Sequence, residues 1–110
     1  MPSNTYTLFR EAILAEQQVT CSYGGHRRKL CPHIIGTNKA GDEVVLAWQF
    51  GGGSSGRLPP GGEWRCLTIA KVSSALRHDG PWHSGGDHPA TQTCVVNIDL
   101  DINVHVRKLR

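Results

Sequence analysis

The strongest constraint on the fold is an unbroken two-residue alternation of apolar and mostly polar side chains near the C-terminus. The apolar positions are Cys94, Val96, Ile98, Leu100, Ile102, Val104 and Val106. Successive side chains of a strand point to opposite faces, so the pattern predicts one strand over residues 94–106 with a single buried face. Such a strand would be about 40 Å long, more than a small barrel covers. We therefore expect it to bend around two sheets or to pair with another chain.

The N-terminal half predicts one helix followed by antiparallel strands. Apolar residues recur every three or four positions over residues 6–17, which indicates an amphipathic helix with Asn4 or Thr5 as its N-cap. From Val19 the period changes to two, and Gly24-Gly25 marks the turn of a β-hairpin. Pro32 has no amide donor, so the second strand must be an edge, bulged or bent there. Residues 44–50 are predicted as the central strand.

The remaining residues divide into two loops and further extended chain. Residues 51–63 contain six glycines and two prolines, which predicts a mobile loop, and residues 77–93 form a second predicted loop. Residues 64–76 return to an extended pattern. The chain of 110 residues has room for one core. We predict a single domain over residues 1–110 that is mainly β with one N-terminal helix. Its five or six antiparallel strands should form a small barrel, closed or nearly closed, with the body of the barrel over about residues 19–76.

The four cysteines, Cys21, Cys31, Cys66 and Cys94, are predicted to be small, partly buried thiols. No pair has the spacing of a C-x-x-C half-site. The N-terminus lacks the basic and apolar regions of a secretion signal, and no apolar run is long enough to span a bilayer. The expected location is therefore the cytoplasm, where disulfides are rare.

Two patterns allow catalytic readings. The histidines and aspartates of residues 78–88 could fold around a metal and support a hydrolase, although their spacing matches no established ligand signature: His78, Asp79, His83, Asp87 and His88. Cys31-Pro32-His33 allows a nucleophile and base, but neighbouring strand residues point apart. Asp99 and Asp101 are explained by solvation on the polar face of the last strand, where charge discourages indiscriminate pairing. The residues 78–88 are explained equally simply as polar loop residues, and Cys31 as a buried thiol. We therefore predict that the protein is not an enzyme and holds no metal or cofactor.

Binding has better support than catalysis. Basic and aromatic residues flank the first hairpin, and others lie on strands that can neighbour it: Tyr23, Arg27, Arg28, Lys29 and His33, then Trp48, Gln49, Trp64 and Arg65. Guanidinium groups hold phosphate and aromatic rings stack on bases, so this mixture suits a nucleotide or single-stranded nucleic acid. The alternative is that the aromatic residues, Trp48 above all, are simply core. A net charge of +3 excludes a histone-like polycation.

Residues 8–75 resemble the WYL-domain family in the order of their features. The matching segments are Val19–Tyr23 for the first strand, Arg28–Ile35 with its basic residue and proline, Glu43–Trp48 at the naming triplet, and Leu67–Val72 for a motif in which Lys71 keeps a basic group. The resemblance implies a small Sm-like β-barrel with a leading helix, found in many bacterial transcription regulators. It also implies a sensor or nucleic-acid-binding module that is not an enzyme and that often associates with other copies.

The resemblance completes the predicted site and its partners. Arg27, Arg28 and Lys29 would contact phosphate, Tyr23 would stack or donate its hydroxyl, His33 would lie beside them, and Arg65 and Lys71 would form the far wall. Seven residues ahead of Leu8 are too few for a helix-turn-helix. We therefore expect action through a partner regulator protein, a small anionic ligand or nucleic acid, with no membrane partner. The alternative is an oligomerisation module that forms a homodimer through strand 94–106.

Overall fold

The computed structural model describes residues 3–53, 61–83 and 94–102, and it opens with a helix, α1, over Asn4–Ala15. The N-cap is Ser3, whose hydroxyl accepts a hydrogen bond from the Tyr6 N–H at 3.1 Å. The predicted caps, Asn4 and Thr5, are instead helical. Glu16 ends the helix in the left-handed conformation, φ 50°, and its N–H donates to carbonyls of the last turn. The predicted helix is confirmed, with its start two residues earlier.

Within the described residues, six strands follow the helix and form one open antiparallel sheet. Their bounds are β1 Gln18–Tyr23, β2 His26–Thr37, β3 Glu43–Gly52, β4 Glu63–Thr68, β5 Ser73–His78 and β6 Asn97–Asp101. The sheet order is β4-β3-β2-β1-β5, and β6 pairs with β2 beside this path. A 3-10 turn, Ile69–Lys71, divides the predicted extended segment into β4 and β5. The structure thus confirms a mainly β fold with one N-terminal helix and six strands.

The predicted first hairpin is present, and β2 carries the predicted irregularity. Gly24 and Gly25 form the turn at φ 59° and 80°, a conformation that glycine adopts without steric cost. Between Pro32 and Ile34 the register with β3 shifts, which leaves His33 as an extra residue on β2. A second shift leaves Phe50 as an extra residue on β3. The middle strand of the sheet is β2. The prediction that residues 44–50 form the central strand is therefore wrong, because they lie in β3, the neighbour of the central strand.

The sheet buries apolar side chains on both of its faces. The main core lies between α1 and one face, and its buried members are Tyr6, Phe9, Ala12, Ile13, Val19, Cys21, Leu30, Ile35, Val45, Ala47, Leu67, Ile69 and Ile102. The smaller cluster on the opposite face consists of Ile34, Val44, Leu46 and Val95. We call this opposite face the outer face. Alternate residues of β3 belong to the two clusters, which explains why β3 is an almost continuous apolar run.

The C-terminal strand is shorter than the alternation predicts. Within the described residues it covers only Asn97–Asp101, and residues 103–106 of the predicted strand lie outside them. The predicted buried face is also wrong in part, because Val96 and Ile98 are about half exposed while Val95 is buried in the smaller cluster. Asp99 is not merely solvated, since its carboxylate accepts hydrogen bonds from the Tyr6 hydroxyl at 2.6 Å and from Arg10 at 3.1 Å.

Two of the four predicted thiols are joined in a disulfide. Cys66 of β4 and Cys94 have bonded sulfurs and Cα atoms 5.7 Å apart. Their side chains meet because both lie at the outer face, a juxtaposition that spacing along the chain does not indicate. Cys21 and Cys31 are free and buried, as predicted.

The predicted loops begin later than expected. β3 continues through Gly52 and β5 continues through His78, so strands replace the first residues of both loop predictions. The central parts of those loops, residues 54–60 and 84–93, lie outside the described residues. In the part of the chain that the structure describes, no helix is both long enough and apolar enough to cross a membrane.

Candidate functional site

The predicted phosphate contacts fall on two faces of β2. Arg27 and Lys29 point to the outer face and are exposed, whereas Arg28 between them points inward and is only 6% exposed. Strand alternation makes this separation unavoidable, because neighbours along a strand project in opposite directions. Arg27 and Lys29 have no carboxylate within ion-pair distance among the described residues. Within this part of the chain, no acidic side chain neutralises either cation.

Arg28 is held by an internal polar cluster at one end of the main core. Its Nε donates to the Tyr23 carbonyl at 3.1 Å, and its Nη1 donates to Gln49 Oε1 at 3.1 Å. The guanidinium also lies 5.2 Å from the centre of the Tyr23 ring, within cation–π range. Gln49, fully buried, donates its amide to the carbonyls of Gly51 and Gly53. Two of the five N–H donors of Arg28 are thus engaged inside the protein, and its guanidinium also lies over the Tyr23 ring.

Tyr23 belongs to the same internal cluster. Its hydroxyl accepts a hydrogen bond from the Thr68 N–H at 3.1 Å, and one side of its ring is occupied by Arg28. Arg65 forms an ion pair with Glu63 on its own strand at 3.0 Å. Lys71 is exposed at the end of the 3-10 turn. The structure therefore joins Tyr23 to Arg28, and places Arg65 and Lys71 on β4 and on the turn that follows it.

Partly exposed aromatic rings line the outer face beside Arg27 and Lys29. Trp48 lies directly opposite Cys31 on one side and Trp64 on the other. The two indole rings meet edge to face with centroids 5.2 Å apart, and Phe50 stacks on His83 at 4.2 Å. We define the outer strip as Arg27, Lys29, Phe50, Trp48 and Trp64. Sequence patterning predicted the two tryptophans as possible stacking partners, but it did not single out Phe50.

The two register shifts of the sheet help build this surface. His33 and Phe50 are the extra residues at those shifts, and a bulge redirects the side chain that it carries. His33 is 2% exposed and packs against Trp64 and Trp82, with ring centroids at 4.8 Å and 5.0 Å. The buried His33 ring therefore packs against Trp64 and Trp82 from the protein interior, and it is not presented at the surface.

A small cavity of about 180 Å³ lies at the basic end of the outer strip. It is lined by Thr20, Arg27, Arg28, Lys29 and Gly52. Thr20 pairs with Lys29 across β1 and β2, which places its hydroxyl beside the lysine. Arg27 hydrogen-bonds to Ser22 Oγ at 3.2 Å and to the Ser74 carbonyl at 3.0 Å, which orients its guanidinium along this wall. The surface of this cavity is mostly apolar, so the aliphatic parts of these residues, and not their charged ends, form most of its walls.

The residues suggested for catalysis have other surroundings. The Nδ1 of His33 donates to the Cys31 carbonyl at 2.7 Å, while the Cys31 sulfur accepts from the His83 N–H at 3.3 Å. Burial raises the pKa of the Cys31 thiol, which favours the unreactive protonated form. No three described histidine, cysteine or acidic residues lie close enough to share a metal, and Asp87 and His88 are outside the described residues.

Comparison with known proteins finds no matching family model, and no curated protein or solved structure is significantly similar to this chain. The resemblance to the WYL-domain family therefore stays a prediction. The functional argument accordingly depends on the geometry of the outer strip and on the chemistry of its side chains.

Proposed function

We propose that the protein is a non-enzymatic regulatory or sensor module that binds an anionic ligand, a nucleotide or single-stranded nucleic acid on the outer strip. The observation that carries the proposal is the continuity of Arg27 and Lys29, which pair with no carboxylate among the described residues, with three partly exposed aromatic rings on one sheet face. Cations attract phosphate and aromatic faces stack on bases of any sequence. A small phosphate ligand would bind to the charged ends of Arg27 and Lys29, and a longer strand would continue over Phe50 and Trp48.

The internal cluster refines the roles of the predicted residues. Arg27 and Lys29 serve as the phosphate contacts, while Arg28 and Tyr23 hold the end of β2 in place because their polar groups are already paired. Trp48 and Phe50 serve as stacking surfaces, with His33 beneath the neighbouring Trp64. Arg65 lies opposite Ala47 of the main core, so it points away from the outer strip, and Lys71 lies on the 3-10 turn. We therefore place neither among the main contacts of the proposed site.

The topology supports a WYL-like, Sm-like barrel as the scaffold of this module. A leading helix is followed by sequential antiparallel neighbours, and β5 returns to the far side of β1. The sheet path ends at β4 and β5, which are connected by the four residues 69–72, the 3-10 turn and Val72. Bringing the two ends of the path together is what a closed barrel requires. A cytoplasmic role linked to transcription regulation belongs to the same proposal.

A binding titration with a fluorescent single-stranded oligonucleotide of about twelve bases tests the function. Affinity is measured at about 50 and 200 mM salt for the native protein and for a double variant, Arg27→Ala with Lys29→Ala. The variant should bind more weakly, and its log-log salt slope should fall by about 1.4 for two lost contacts with a single strand. Lys39→Ala is the matched control, because Lys39 is an exposed cation in a different turn.

Two results would count against the proposal. Equal binding by the native protein and the double variant would exclude Arg27 and Lys29 as phosphate contacts. If Lys39→Ala lost half of the binding free energy that the double variant loses, only total charge would matter, because it removes one cation and the double variant removes two. Inorganic phosphate and mononucleotides, titrated as competitors, separate a small anionic ligand from a nucleic acid.

Self-association through β6 is the second candidate function. β6 pairs with β2 alone among the described strands. Ile98 within β6 is 51% exposed, and Val96 just before it is 54% exposed. An edge strand with exposed apolar residues can pair with the same strand of a second copy. Sedimentation of the native protein and of Ile98→Lys tests this: a native dimer that the substitution dissociates supports it, whereas a native monomer excludes it.

A further inference from the structure

The disulfide joins an accessible strand to the segment that leads into β6. Cys66 is exposed and Cys94 is half-buried, so an external thiol can approach the Cys66 sulfur from solvent. The bond closes a loop whose ends are 28 residues apart in sequence. A cross-link over such a loop removes considerable freedom from the chain that it ties down.

Residues 94–101, here called the C-terminal segment, are held by the disulfide at their first residue and by strand pairing and packing beyond it, with Leu100 against the main core. Val95 fills the smaller cluster, and the Val96 N–H donates to the Thr37 carbonyl at 3.0 Å. β6 then pairs with residues 34–37 of β2, and Asp99 reaches α1. The half-exposed Val96 and Ile98 contribute little burial of their own. The segment therefore covers the part of the β2 edge that lies beyond its pairing with β1.

The two other cysteines are poorly suited to thiol exchange. Cys21 and Cys31 are buried, and burial raises the pKa of both thiols, so each contains little of the nucleophilic thiolate. Reduction and reoxidation would therefore act on Cys66 and Cys94 without scrambling the pairing. In a reducing compartment, disulfides of this accessible kind are typically transient and regulatory.

We propose that the Cys66–Cys94 bond is a redox-controlled tether that decides whether the C-terminal segment stays docked on β2. One external thiolate attacks the Cys66 sulfur, the bond between the two sulfurs breaks, and Cys94 leaves as a thiolate that takes up a proton. A second external thiol attacks the mixed disulfide, releases Cys66 as a thiol and forms the oxidised disulfide of the external thiol. Two electrons and two protons thereby pass to the protein. The untethered segment then opens more often and uncovers the main chain of residues 34–37.

Amide hydrogen exchange of the full-length protein tests the tether, with reduced glutathione as the thiol. The Val96 N–H is the reporter, because its hydrogen bond to Thr37 exists only while the segment is docked. Reduction should accelerate its exchange by up to roughly 400-fold, as the loss of chain-entropy restriction over a 28-residue separation implies. The amides of β1 should change little, since they pair with β2 and β5.

Two variants keep the experiment decisive. A double variant, Cys66→Ser with Cys94→Ser, should exchange rapidly at Val96 with or without glutathione. Cys21→Ala is the matched control and should respond to glutathione as the native protein does. The proposal is overturned if glutathione leaves the disulfide intact, if the Val96 exchange rate is unchanged after reduction, or if β1 and Val96 accelerate equally. The last result would identify the bond as a general stabiliser of the domain.

Discussion

Replacing Gln49 by methionine should destabilise the domain strongly although the side chain keeps a similar shape. Gln49 is fully buried and makes three hydrogen bonds: it accepts one from Arg28 and donates two to the carbonyls of Gly51 and Gly53. A bond to a charged group contributes about 1.5–3 kcal/mol and a neutral bond about 0.5–1.5 kcal/mol. Methionine offsets part of this loss through its greater hydrophobicity, so we expect a net cost of about 3 kcal/mol.

Urea denaturation of Gln49→Met measures this cost as a lower midpoint, and thermal denaturation should show a melting temperature lower by roughly 12 °C. A double-mutant cycle with Arg28→Met isolates the pair. Because the two side chains touch, the double variant should be less unstable than the sum of the single variants, by about 1.5 kcal/mol or more. A cost of Gln49→Met below about 1 kcal/mol, or strictly additive effects, would refute the conclusion that Arg28 is held internally by Gln49.

Three further predictions concern β6, its anchor on α1 and the free thiols. Tyr6→Phe should lower stability by about 1 kcal/mol, because it removes the hydroxyl donor to the partly exposed Asp99, and urea denaturation at neutral pH measures it. The hydrogen bond from the Tyr6 hydroxyl, followed by that from Arg10, lowers the pKa of the Asp99 carboxyl. The stability that ionised Asp99 contributes is therefore complete above its pKa in the unfolded chain, about 4, and is lost as pH falls through its lower pKa in the folded protein. The plots of unfolding free energy against pH for the native protein and Tyr6→Phe should therefore converge in acid. Gly36→Ala should displace β6, because a Cβ there would overlap the Asn97 carbonyl oxygen, and loss of Val96 amide protection with β1 protection retained would show it. Alkylation should label no cysteine in the folded oxidised protein, two after unfolding and four after unfolding with reduction, whereas rapid labelling of Cys21 or Cys31 in the folded state would contradict their burial.

Local chemistry made the N-terminal half predictable. The three- and four-residue spacing of α1, the change of period at Val19 and the Gly24-Gly25 turn all reflect interactions between near neighbours in the chain. The irregularity of β2 at Pro32 was also predictable, because proline lacks the amide hydrogen that a strand donates to its neighbour. The N-cap was displaced to Ser3, since several adjacent residues there can supply a capping oxygen and local preference does not choose among them.

The candidate site was predictable in its residue types but not in its arrangement. The basic hairpin and the tryptophans were visible as a group, yet alternation along β2 places Arg28 on the opposite face from Arg27 and Lys29. Phe50 enters the outer strip because of a register shift, and such a shift depends on how β3 pairs with β2. The engagement of Tyr23 with Arg28 likewise depends on a contact across the hairpin end.

By itself, the sequence determined the order of the helix and strands, the turn of the first hairpin and the presence of a basic, aromatic surface near it. Only the tertiary structure decided that Val95 would be buried while Val96 and Ile98 remain half exposed, and that Cys66 would meet Cys94. The physical reason is that periodicity and turn preference act over a few residues, whereas burial and cross-linking depend on which distant segments cover one another. An alternating pattern shows that two faces differ, and the packing of other elements determines which of them is covered.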